Sequence, residues 1–197
     1  MTGTPLRPEL FRGSREKGLA LAGFDGSKPV LLMMGGSSGA QSVNACLRKT
    51  LDELTGTFDI LHVCGKGNLE PSLDGKKGYK QVKFLDAELP DALACTDLVM
   101  SRAGANALCE FQALGRPMLL IPYPKGASRG DQILNAKSLQ KRGLCHVLLQ
   151  ENMTKESMVQ AVMETWEDRE KLTEALKNAP PADGTKRVLE LIEEIQK

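Results

Sequence analysis

Short unbroken apolar runs alternate along this chain with stretches whose apolar residues recur every three or four positions. Val30-Leu31-Leu32-Met33-Met34, Phe58 to Cys64, Asp97-Leu98-Val99-Met100, Pro117 to Pro122 and Cys145 to Leu149 are of the first kind, as expected of strands buried on both faces. Tyr79 to Leu85 alternates and reads as a more exposed strand. A helical period starts at Ala40 with Val43, Leu47, Leu51 and Leu54, and returns over Ala105 to Leu114 and Asp131 to about Arg142, closed by Gly115 and Gly143. Glu9 to Gly23 has helix-forming composition, broken by Gly13 and ended by Gly18 and Gly23. Leu89 to Cys95 is a short helix opened by Pro90. Thr154 is placed to cap a helix carrying Val159, Val162, Met163 and Trp166 on one stripe. A last helix, Lys186 to Gln196, follows Pro180-Pro181, with Val188, Leu191, Ile192 and Ile195 on one face.

Six strands alternating with helices, without hairpin turns or repeats, predict an α/β fold with a doubly wound parallel sheet and helices on both faces. Ligands of such sheets sit beyond the carboxyl ends of the strands, and the glycine-rich loops fall on that edge.

Composition narrows the classes. At 197 residues, 41% hydrophobic and 26% charged, the chain reads as one globular domain. A net charge of +1, 4% aromatics and no basic run leave no footprint for nucleic acid. The cysteines, Cys46, Cys64, Cys95, Cys109 and Cys145, are scattered through apolar contexts, which fits buried free thiols in a reducing cytoplasm rather than a zinc site or a disulfide framework. No apolar stretch is long enough to span a membrane and no signal peptide opens the chain. Thr2 to Pro8 reads instead like a loop from the interior of a longer protein.

Three loop-to-helix junctions could carry chemistry. Gly35-Gly36-Ser37-Ser38-Gly39 offers a concave run of N–H groups and two hydroxyls, apt for an anion, though it matches neither a P-loop nor the dinucleotide fingerprint. Ser101 to Glu110 reads as a strand, a tight turn at Gly104 and a helix N-terminus with a carboxylate less than two turns in. There N–H groups and the helix dipole can hold phosphate and the carboxylate can hold ribose hydroxyls. The same stretch reads equally as a plain connector with a glycine for its turn. Gln132 and Asn135, three apart in the helix opened by Asp131, could read sugar hydroxyls as donor and acceptor together; a polar first turn capped by Asp131 is the alternative. His62 and His146 lie inside strands and read as structural, Asp86 and Asp91 as caps or surface charges, and Trp166 as core. No catalytic triad or metal-ligand cluster is present in the sequence, so the residues alone describe a domain for a nucleotide diphosphate, with or without a sugar, and without a general base.

Thr2-Gly3-Thr4-Pro5-Leu6-Arg7, Gly35 to Ala40, Phe84-Leu85-Asp86, Ser101-Arg102-Ala103-Gly104-Ala105 through Glu110, and Ser128 to Ala136 occur in that order. Together they resemble the C-terminal domain of the MurG-type glycosyltransferases of family 28, which convert lipid I to lipid II in peptidoglycan synthesis. The resemblance implies the C-terminal, donor-binding half of a GT-B fold, Rossmann-like, with UDP-GlcNAc as ligand and no cofactor or metal. By the same resemblance Glu110 binds the ribose, the Ala105 and Asn106 amides at Gly104 face the diphosphate, and Gly36, Ser37 and Ser38 lie opposite. Leu85 reads the uracil edge through its backbone, Arg7 lies near the nucleotide, and Gln132 and Asn135 read the GlcNAc. Ser38 stands where many relatives carry Gln and Ala107 where many carry Thr, which leaves phosphate to the backbone at those places.

The general base and the lipid I site are expected in an N-terminal acceptor domain absent from this chain, so the chain alone should bind donor without turning it over. The full enzyme is expected in the cytoplasm, peripheral on the inner face of the membrane. The alternatives are another GT-B enzyme using a UDP-sugar, such as a diacylglycerol glycosyltransferase or a subunit of the two-chain dolichol-linked UDP-GlcNAc transferase, or a non-catalytic nucleotide-sugar-binding module.

Overall fold

The computed structural model describes residues 4–35, 40–124, 126, 130–180, 184, 189–190, 192 and 194. Its sheet contains β1 (Val30–Met34), β2 (Asp59–Val63), β3 (Tyr79–Val82), β4 (Leu98–Ser101), β5 (Met118–Leu120) and β6 (His146–Val147). All pairings are parallel and the order is β3-β2-β1-β4-β5-β6. The chain winds outward from β1 on one side and from β4 on the other, so the switch point, where a crevice opens at the carboxyl edge, lies between β1 and β4.

β1, β4 and β5 are almost wholly apolar because both their faces are covered. Val30, Leu32, Leu61, Val63, Val99, Met118 and Leu120 enter one core; Leu31, Met33, Ile60, Leu98, Met100 and Leu119 enter the other. The first is closed by α1 (Arg15–Ala22), α4 (Leu89–Cys95), α5 (Ala105–Ala113) and α6 (Asp131–Lys141), through Ala22, Leu93, Phe111 and Leu139. The second is closed by α2 (Gln41–Lys49), α3 (Leu51–Leu54) and α7 (Lys155–Glu167), through Val43, Leu47, Leu54 and Val162. Each such leucine or phenylalanine buried from water contributes about 1.5–3 kcal/mol. A last helix, α8 (Arg169–Asn178), crosses back and sets Leu176 in the first core.

Several boundaries differ from the sequence expectation. Gly18 does not end a helix: it lies inside α1, where a Cβ would sit 2.1 Å from the Asp91 carbonyl oxygen, so glycine is what lets α1 press onto α4. The segment before it, Pro8–Arg12, is a 3-10 turn. Asp91 ties the two helices together by accepting from Ser14 N–H at 2.7 Å. The helix from Ala40 is split at Thr50, whose hydroxyl donates back to the Leu47 carbonyl at 2.8 Å. β3 stops at Val82, three residues short of Leu85, and β6 is two residues long. α8 was not expected, although Leu172 and Leu176, both buried, stand one helical turn apart. Of the expected last helix, 186–188, 191, 193 and 195–196 fall outside the described residues; Leu189 and Ile192 are helical and exposed. Cys46, Cys64, Cys95 and Cys145 are buried free thiols, whereas Cys109 is half-buried.

Candidate functional site

β1 and β4 are pinned together at the switch point. Met34 pairs with Ser101, and the Ser101 hydroxyl donates to the Met34 carbonyl at 2.7 Å. At the end of β1 Gly35 lies against Ala40: a Cβ on Gly35 would be 2.7 Å from that of Ala40, which requires glycine there. Gly36, Ser37 and Ser38 lie outside the described residues. α2 starts just after them with no side-chain cap.

Beyond β4, Arg102 and Ala103 are buried and Gly104 opens α5. Gly104 has φ −71° and ψ 135°, open to any residue, and a Cβ there would meet nothing within 4 Å. The expected tight glycine turn is therefore absent; what glycine leaves at this position is open space over the helix end. No side chain among the described residues caps α5. The N–H groups of Ala105, Asn106 and Ala107, ahead of the first helical bond from Leu108 N–H to Gly104 C=O, find no acceptor among the described residues. An uncapped helix end with its positive dipole pole facing open space is suited to an anion.

Glu110 lies one turn along α5 from Asn106 and is 15% exposed, and Arg7 comes within 3.6 Å of its carboxylate from the amino-terminal segment. Two residues 103 positions apart in sequence thus meet beside the helix end. Leu85 is drawn into the first core by its side chain, and its backbone N–H and C=O have no partner among the described residues. On α6, Gln132 Oε1 accepts from Tyr123 N–H at 3.2 Å, and Asn135 Nδ2 donates to the Ala103 carbonyl at 3.1 Å. Each amide keeps its other half unpaired among the described residues. Asp131 does not cap α6: the cap position is Gly130, in the left-handed conformation, with no side-chain hydrogen bond.

Arg102 was missed in the sequence and is central here. It is 5% exposed, donates to the carbonyls of Ile121 and Pro122 and to Gln150 Oε1, and stacks on the Tyr123 ring. Burial lowers its pKa, and the Tyr123 hydroxyl partly offsets this. The available signal was an arginine set between the apolar end of β4 and a small-residue turn.

Elsewhere several polar groups are closed on one another. His62, fully buried, contacts Tyr79 Oη through Nδ1 at 2.8 Å and Asn44 Oδ1 through Nε2 at 3.0 Å. Asn44 spends its Nδ2 on the Cys64 carbonyl, so its oxygen must accept, which places the histidine proton on Nε2. Burial pushes the His62 pKa down to about 3, with Arg48 adding to the shift. His146 pairs with Asp168 at 2.9 Å where the chain passes from α7 to α8. Trp166 is half-buried, edge-on to Phe58 and under Arg169. Cavities around Asp97, Arg116, Trp166 and Arg169 and around Lys28, Asp59 and Lys77 lie at the amino-terminal edge of the sheet, opposite these groups. Among the described residues no helix is long and apolar enough to cross a membrane.

A parallel sheet of this order, wound on both faces, is a Rossmann-like α/β domain. The family model for the glycosyltransferase family 28 C-terminal domain matches residues 30–195, and the chain belongs to that family. It is 49% identical over 191 residues, 97% of its length, to the UDP-N-acetylglucosamine--N-acetylmuramyl-(pentapeptide) pyrophosphoryl-undecaprenol N-acetylglucosamine transferase of Geobacillus thermodenitrificans. It is 45% identical over 196 residues to the protein of the same name from Lachnoclostridium phytofermentans. Among solved structures it is similar to the MurG of Acinetobacter baumannii, with TM-score 0.72 and 28% identity, over 94% of this chain and 55% of that one. The chain spans about half the length of the curated relatives it matches, 54% and 55% of these two.

Proposed function

We propose that this chain is the donor-binding half of a MurG-type transferase, holding UDP-GlcNAc while an acceptor domain outside the chain presents lipid I. The observation that carries this reading is the uncapped α5 N-terminus with the little-exposed Glu110 beside it, at the carboxyl edge of the sheet, where the ligands of doubly wound sheets bind. The Ala105 and Asn106 N–H groups face the diphosphate, Glu110 accepts from the two ribose hydroxyls, and Arg7 steadies the Glu110 carboxylate from outside. The Leu85 backbone supplies one donor and one acceptor to the uracil edge, and Gln132 and Asn135 read the sugar. Gly36, Ser37 and Ser38, which lie outside the described residues, belong to the same reading.

In the transfer the acceptor hydroxyl oxygen bonds to the anomeric carbon from the face opposite UDP. The bond from that carbon to the diphosphate oxygen breaks, and its electron pair leaves on UDP. The hydroxyl proton goes to a base in the acceptor domain. Charge grows on the leaving diphosphate, where the α5 N–H groups and dipole are already oriented, so they lower the barrier without reorganising. The lipid tail of the acceptor brings the whole enzyme to the inner membrane face, while this half meets the water-soluble donor.

Calorimetry of this chain with UDP-GlcNAc, UDP-glucose, UDP-galactose and GDP-mannose tests the reading. Binding of the uridine nucleotides, tightest for UDP-GlcNAc and without turnover, is expected. Preference for another UDP-sugar would point to a different transferase of the same fold, and equal weak heats for all four would remove the donor site.

A further inference from the structure

Arg102 has no ion-pair partner among the described residues, although it is nearly fully buried; its fork is spent on neutral oxygens. Nη1 donates to the Ile121 carbonyl at 3.0 Å and the Pro122 carbonyl at 3.2 Å, Nη2 to Gln150 Oε1 at 2.7 Å, and the guanidinium lies 4.1 Å from the Tyr123 ring centroid. The Pro122 carbonyl and the Tyr123 N–H belong to the same peptide group, and in a trans peptide they point to opposite sides. Arg102 therefore draws on the carbonyl while the N–H on the far side donates to Gln132 Oε1 at 3.2 Å. A cation on one end of such a chain polarises the peptide and strengthens the hydrogen bond at the other end.

This fixes which half of the Gln132 amide faces outward. With Oε1 held by the backbone, the two Nε2 hydrogens are presented; with Asn135 Nδ2 held by the Ala103 carbonyl, Asn135 presents Oδ1. Positions 132 and 135 are neighbours on one helix face. A hydroxyl above the first turn of α6 can thus accept from Gln132 and donate to Asn135, and a glutamine free to flip would lose that polarity half of the time.

We propose that Arg102 is a positioning residue that acts through the Pro122–Tyr123 peptide to hold Gln132 with its donor face toward a hydroxyl of the bound sugar. This rests on the UDP-sugar reading given above. The test is a double-mutant cycle in which UDP and UDP-GlcNAc affinities are measured by calorimetry for wild type, R102K, Q132A and R102K/Q132A. Lysine keeps the charge but not the planar fork.

UDP affinity should change by less than about twofold, while the added affinity due to the sugar falls about tenfold in each single variant and no further in the double. Losses that multiply in the double variant, or equal weakening of UDP and UDP-GlcNAc by R102K, overturn the proposal and leave the donor reading standing. Wild-type protein that gains nothing from the sugar overturns the proposal and the sugar assignment together. Failure to bind either ligand removes the donor site itself. Should R102K not fold, amide exchange supplies a ligand-free readout: the Tyr123 N–H should be protected in wild type and fast in Q132A, and equal exchange in the two would contradict the hydrogen-bond chain.

Discussion

The His62 cluster under β2 and the Gly104–Asn135 edge beyond β4 are both polar, but they are finished differently. Around His62 three polar side chains are paired: histidine with Tyr79 and Asn44, asparagine also with the Cys64 carbonyl. At the edge each group is held by one end only. Among the described residues Glu110 has a single distant cation, Gln132 and Asn135 keep half of each amide unpaired, and the first N–H groups of α5 find no acceptor. A fully paired buried cluster stabilises the fold. A cluster held by one end is already oriented and still has hydrogen-bonding capacity left, which is what ligand recognition needs.

Substitutions in the two regions should therefore separate stability from affinity. The largest effect belongs to Asn44→Ala, which leaves the His62 Nε2–H and the Cys64 carbonyl buried without partners. Unfolding free energy should drop by about 3 kcal/mol, read by urea denaturation, with UDP affinity of the folded protein unchanged. Glu110→Ala should do the reverse. Loss of charge-assisted bonds to the ribose costs about 2–3 kcal/mol of UDP affinity, and the melting temperature stays near wild type because the carboxylate carries little of the fold.

The pH dependence comes next in size. His62 is neutral in the fold with its pKa lowered to about 3, whereas the unfolded chain takes up that proton near pH 6.5. The unfolded state thus binds more protons between those values, so stability is complete above about pH 6.5 and is lost as pH falls toward 3. By pH 5 the loss should reach about 2 kcal/mol relative to pH 8. His62→Gln, which can still accept from Tyr79 and donate to Asn44, should lack that part of the slope. The smallest change in stability is expected for Gly104→Ala: the backbone there suits alanine and the space is open, so the fold should gain about 0.5 kcal/mol. UDP should nevertheless bind more weakly, because the methyl fills the approach to the helix end. A Gly104→Ala protein with undiminished UDP affinity would separate that open space from the ligand.

The same contrast explains what could be read from sequence. The sheet was legible because strands covered on both faces are apolar almost throughout, as Val30–Met34 and Leu98–Ser101 are. Glu110, Gln132 and Asn135 were legible as polar residues at fixed offsets from a helix start. The salt bridge of Arg7 to Glu110 and the stacking of Arg102 on Tyr123 depend on tertiary placement, and no local spacing announces them. α8 escaped notice because its short, charge-rich stretch carries its buried positions on only two leucines, Leu172 and Leu176. Gly104 was misread because a glycine before a helix usually signals a turn, whereas here its backbone is extended.

A titration of the 15N-labelled chain with UDP, followed by amide chemical shifts, tests the central assignment most directly. The account predicts that the amides of Ala105, Asn106, Ala107, Glu110 and Leu85 move with one saturating curve while those of His62 and Asn44 stay still. Shifts centred instead on Asp97, Trp166 and Arg169 at the opposite edge, with the α5 amides unmoved, would contradict it.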